Sequence, residues 1–109
     1  MTKEKIGILL NDNRVVLLHN VSNHHNRFEV NIEEFYKYIR NIKALIHTHE
    51  NGCEPSILDQ INMSLWNFPW IIVSKNCIKA FKYLDFSIFE INIDTLIPQE
   101  LHYLLMQLL

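Results

Sequence analysis

What most constrains this chain is the way its apolar residues are parcelled into short runs of roughly four to eight, bounded by turn-forming residues. Ile6 to Leu10 and Val15 to His19 are β-rich runs on either side of Asn11-Asp12-Asn13. Asn and Asp tolerate left-handed backbone, so the pair predicts a hairpin. Asn31, with Glu34 three residues on, can cap a helix, and Ile32, Phe35, Tyr36, Ile39 and Ile42 fall near helical spacing, which predicts a helix over 32–42. Ala44 to Thr48 predicts a buried strand, followed by a loop carrying Gly52 and Pro55 and a helix opening at Ser56. Trp70 to Ser74, Ile78 to Tyr83 and Ser87 to Ile93 predict three more strands, and a leucine-rich helix starts near Pro98 and runs to the end. The order β-β-α-β-α-β-β-β-α predicts an α/β (α+β) fold, a mixed sheet flanked by helices. With 109 residues, 49% of them hydrophobic, and no linker or repeat, residues 1–109 read as a single domain.

Charge narrows the partners. Lys+Arg 10 against Asp+Glu 12 gives a net charge of -2, and no stretch gathers the basic residues that track a phosphate backbone or an anionic membrane surface. Nucleic acid and membrane are therefore excluded as expected partners. Cys53 and Cys77 lack C-x-x-C spacing and are too few for a disulfide framework, so both are expected as reduced thiols. Ile6 to Leu10 is too short for a signal peptide, and no run approaches the roughly 20 residues of a membrane span. A soluble, cytoplasmic protein is the expectation.

The chemistry-bearing pattern is His47-Thr48-His49 at a predicted strand end. Residues i and i+2 of a strand share a face, so both imidazoles can reach one ion. Asp59, ten residues after His49, falls in the first turn of the helix that Ser56 would cap, and the Gly52- and Pro55-bearing loop could return its carboxylate to the histidines. Two histidines and one carboxylate leave one position of a tetrahedral Zn2+ open, the arrangement of a catalytic site. Each part also has an ordinary structural reading, His-x-His as a strand end and Ser-x-x-Asp as a helix cap, and the case rests on their joint spacing. His19, His24, His25 and His102 are given no role.

The string His47-Thr48-His49, six residues, then Ser56-x-x-Asp59 resembles the signature of the JAMM (MPN-domain) metallopeptidases, His-x-His followed after about seven residues by Ser-x-x-Asp. Glu4-Lys5-Ile6-Gly7-Ile8-Leu9-Leu10 is similar to that family's upstream Glu three residues before a Gly that opens a hydrophobic strand. Pro55-Ser56 and Phe68-Pro69-Trp70-Ile71-Ile72-Val73-Ser74 look most like the versions in tail-assembly proteins of lambda-like phages. The likeness covers about residues 4 to 83. It departs in a loop one residue shorter, in Glu50 where Pro is common, and in having only Met1-Thr2-Lys3 ahead of Glu4 where the family has a helix.

The resemblance implies an MPN/JAMM-like (cytidine-deaminase-like) architecture without its N-terminal helix, and zinc held by His47, His49 and Asp59. It implies Glu4 as general base and Ser56 as hydrogen-bond donor to the developing oxyanion, a contribution of about 3 kcal/mol in comparable sites. The activity implied is hydrolysis of a peptide or isopeptide bond, in phage tail maturation or cell-wall peptide cleavage, in host cytoplasm or a virion tail. Glu4 at a chain terminus is expected to fray, and Lys3-Glu4-Lys5 also reads as a solubilising charge run. A non-catalytic MPN-type scaffold, and a small α/β binding protein with incidental histidines, are the competing readings. In the last helix Leu101, Leu104, Leu105 and Leu108 form a core-facing stripe, while Tyr103, Met106 and Leu109 lie outside it. Ile97, before Pro98, is not expected to extend that stripe. The extra apolar surface and the absent helix predict association, as a homodimer or with a second tail or peptidase subunit.

Overall fold

A computed structural model of the protein describes residues 4–18 and 32–108. Among these described residues are six strands, β1 (Ile6–Leu10), β2 (Val15–Leu18), β3 (Ile42–Thr48), β4 (Trp70–Ser74), β5 (Cys77–Leu84) and β6 (Ser87–Ile91), and three α-helices, α1 (Ile32–Tyr36), α2 (Ile57–Leu65) and α3 (Gln99–Met106). The strands form one mixed sheet in the order β2-β1-β3-β4-β5-β6, in which only β3 and β4 run parallel. The class and element order read from the sequence are thus found.

β1, β3 and β4 carry apolar residues on both faces, over Ile6–Leu10, Ala44–Ile46 and Trp70–Val73, because both faces are covered. On one face Ile6, Ile8, Leu10, Leu45, Trp70 and Ile72 pack under Phe35 of α1 and Met63 of α2. On the other, Leu9, Ala44, Ile46, Ile71 and Val73 pack under Leu105 of α3 and under Ile97, which precedes that helix. Strand alternation sorts neighbours to opposite faces, which puts His47 on the face of Leu45 and α2. The hairpin turn expected at Asn11-Asp12-Asn13 is present, with Asn13 at φ 69.

The structure corrects the helix expected over 32–42. α1 stops at Tyr36, a 3-10 turn covers Ile39–Asn41, and β3 begins two residues before the expected Ala44. Ile42 pairs with Leu10, and the register slips between Leu9 and Leu10 opposite this end of β3. Strand pairing therefore takes over residues whose apolar spacing also suited a helix. β6 likewise ends at Ile91 rather than Ile93, because Asn92 caps a 3-10 turn over Ile93–Thr95. In α3, Leu105 is buried and Leu101 and Leu108 pack against the core, but Leu104 is exposed and Met106 packs inward. Ile97 lies outside the helix, as its position before Pro98 implies, yet is buried in the same cluster.

The cysteines are also corrected. Cys53 and Cys77 form a disulfide across a sequence separation of 24. The loop after β3 lies against the start of β5, a proximity that spacing along the chain does not reveal. The expected capping Asn31, the end of the second run at His19, and His24, His25 and Leu109 lie outside the described residues.

Candidate metal centre

Three segments meet at the C-terminal end of β3. His47 is the penultimate residue of the strand and His49 follows its end, with the two rings edge to face at 4.8 Å between centroids. The His49 amide donates to the Val73 carbonyl at 2.8 Å, so the second histidine stays registered on β4 after pairing has ended. Trp70, on the same face of β4, walls the His47 ring at 6.4 Å.

Thr48, between the histidines, positions the other end of the site. Its hydroxyl accepts from the Lys5 amide at 2.7 Å and its own amide donates to the Lys5 carbonyl at 3.0 Å. This latch fixes the chain just before β1 and sets the Glu4 carboxylate directly against His47 Nε2, with only 11% of the Glu4 side chain exposed. Glu4 thus lies in the site, largely buried against His47. Nothing in the sequence flagged the latch, since its partners are 43 residues apart.

Asp59 arrives on α2. The Ser56 side chain accepts from the Asp59 amide at 3.1 Å, and the Ser56 amide donates to Asp59 Oδ2 at 2.9 Å, a reciprocal cap of the helix start. Gly52, at φ +75, supplies the left-handed residue in the loop that makes this return. The carboxylate then faces both imidazoles, with Oδ1 2.9 Å from His47 Nδ1 and Oδ2 2.8 Å from His49 Nε2. His47 and Asp59 are both buried.

These contacts shift the proton affinities. Burial disfavours charge on His47, but the carboxylates of Asp59 and Glu4 outweigh it and raise its pKa above the usual 6.5. Burial likewise works against an ionised Asp59, and the hydrogen bonds from His47 and His49 overcome it, holding the carboxyl well below the usual carboxylate range.

Glu4, His47 and His49 each offer a ligand atom within 4.8 Å of the others, so this group could hold a metal ion. Asp59 lies behind it, in contact with both rings. Carboxylate and imidazole donors can coordinate a divalent cation, and neither cysteine joins them because the two sulfurs are bonded to each other. The group within mutual ligand reach thus differs from the expected set of His47, His49 and Asp59: it holds Glu4 with the two histidines, while Asp59 contacts both rings and Ser56 contacts Asp59. His102 is elsewhere, 3.4 Å from Asp94. No protein-family model and no curated protein matches the chain.

Proposed function

We propose that the protein is a zinc-dependent hydrolase of the JAMM (MPN-domain) type that cleaves a peptide or isopeptide bond. The observation that carries this reading is the convergence of Glu4, His47, His49 and Asp59, from three separate segments, around one buried point at a strand end. The mixed sheet with helices on both faces agrees with the architecture that the resemblance implies.

His47, His49 and Asp59 would hold the ion. A zinc ion held there supplies Lewis acidity, lowering the pKa of a water and polarising a carbonyl. Glu4, pinned by the Thr48 latch, takes a proton on its carboxylate and returns it to the leaving amine. Ser56 accepts a hydrogen bond from the Asp59 amide through its oxygen, which leaves its own hydroxyl hydrogen to donate to the oxyanion. Its side chain is exposed at the helix start, where a substrate can reach it. Trp70 and the buried face of β4 shield the rear of the site from water.

The test is to load purified protein with zinc and follow cleavage of peptide- and isopeptide-linked fluorogenic substrates. Turnover that disappears in Glu4→Gln while zinc stays bound supports the reading. One zinc per chain without turnover on any substrate moves the assignment to a non-catalytic MPN-type scaffold, and no bound metal leaves a binding protein with incidental histidines.

A further inference from the structure

The disulfide lies within the loop that connects two of the proposed ligands. Cys53 falls between His49 and Asp59, is 2% exposed, and is tied to Cys77 at the first position of β5. Next to it Glu54 pairs with Lys79 at 2.8 Å, also on β5. Apart from these ties the loop is exposed at Glu50, Asn51, Gly52 and Glu54, and no atom lies within 4 Å of the position a Gly52 side chain would take. Among the described contacts, the loop that sets the His49 to Asp59 distance is tied to β5 by one covalent bond and one exposed ion pair.

Ser74 marks the bond as more than a staple. Its side chain is fully buried, with its hydroxyl oxygen 3.2 Å from Cys77 Sγ and 3.7 Å from Cys53 Sγ. Neither sulfur of a disulfide carries a proton, so the single hydroxyl hydrogen is the one available to donate, to one sulfur or the other. A donor placed between two sulfurs stabilises whichever one departs as a thiolate.

We propose that Cys53–Cys77 is a redox clamp on the ligand loop, which keeps His49 and Asp59 within reach of one ion while oxidised and loosens that pairing when a dithiol reductant opens it. This rests on the metal-centre reading above. Cys77 is the less buried residue of the two and is assigned as the point of attack. A thiolate of the dithiol bonds to Cys77 Sγ, the Cys53–Cys77 bond breaks, and Cys53 Sγ leaves with the electron pair beside the Ser74 hydroxyl and takes up a proton. The second sulfur of the dithiol then displaces Cys77 Sγ. The reductant ends as a disulfide and the protein as two thiols, two electrons and two protons having passed to it. Cys53, Cys77 and Ser74 are positioning residues; none touches the substrate.

The experiment compares zinc affinity of the oxidised protein with that of the Cys53→Ser/Cys77→Ser double variant, which lacks the clamp and adds no thiolate ligand. Circular dichroism of both follows the fold. The proposal predicts at least tenfold weaker zinc binding in the variant with an unchanged spectrum, and slower reduction of Ser74→Ala than of the parent by the same dithiol. Equal zinc affinity in the two proteins overturns the clamp and leaves the metal centre standing. Loss of the folded spectrum in the variant overturns it too, since the bond is then a general staple, and reduction of Ser74→Ala at the parent rate removes the role given to Ser74. Oxidised parent that binds no zinc overturns the metal-centre reading itself.

Discussion

His47 stands between two carboxylates, Glu4 at one ring nitrogen and Asp59 at the other, and this placement governs how the site responds to pH. A raised His47 pKa means that its contribution to the stability of the metal-free protein is fully present below about 6.5 and is lost as pH rises through the raised value. The depressed Asp59 contributes in the opposite sense, above about 4, and that part is lost as pH falls through its lowered value. The metal-free protein is therefore expected to be most stable from about pH 4 to about pH 6.5, which thermal unfolding across pH will check. A metal ion needs its imidazole ligands unprotonated, so zinc should displace the proton that His47 holds more tightly than usual and bind more tightly as pH rises. Calorimetry in buffers of different ionisation enthalpy reads that displacement; a pH-independent affinity contradicts it. The same residues show what the sequence could convey. His47 and His49 were legible because a strand repeats every two residues, and Asp59 because its cap with Ser56 is local. The Glu4 contact and the Thr48 latch were not legible from spacing, because they form between segments 43 residues apart.

Helix α2 is the element on which the site most depends, since it carries Asp59 and begins at the loop from His49. Its start is fixed by the Ser56 cap, and Ser56→Ala should cost about 1 kcal/mol, lowering Tm by roughly 5 °C. Gly52→Ala should cost a further 1 kcal/mol or so, because a side chain is strained at φ +75 although there is space for it. Differential scanning calorimetry checks both, and a Gly52→Ala protein as stable as the parent means that the loop can relax out of its left-handed turn. Strand β4 was read from the sequence with its observed bounds because both faces are apolar and Pro69 and Lys75-Asn76 delimit it. The helix over 32–42 failed for the opposite reason. Ile39 and Ile42 suit a helical stripe locally, but Ile42 is claimed by Leu10 of β1, a partner that no local window contains. In α3 the exposure of Leu104 and the inward packing of Met106 were set by the sheet it lies on rather than by its own periodicity.

At the scale of the whole molecule, the sheet is covered on both faces, yet large apolar side chains remain exposed on α2 at Ile57, Ile61 and Leu65, on the β5–β6 hairpin at Phe86, and on α3 at Tyr103 and Leu104. Association is the expected consequence. Sedimentation over a range of concentrations should show a concentration-dependent dimer, and a monomer throughout contradicts self-association. The disulfide, which sequence spacing led us to expect as two thiols, closes a 24-residue separation. Restricting the unfolded chain in this way contributes about 3 kcal/mol, so chemical denaturation of the reduced protein should show a loss of that order. The central claim concerns what the intact molecule carries, and native mass spectrometry of zinc-exchanged protein tests it most directly. The account predicts one zinc per chain in the parent and in Glu4→Gln, and none in His47→Ala or Asp59→Asn proteins that remain folded. A parent that carries no zinc, or a folded His47→Ala that carries as much as the parent, would contradict it.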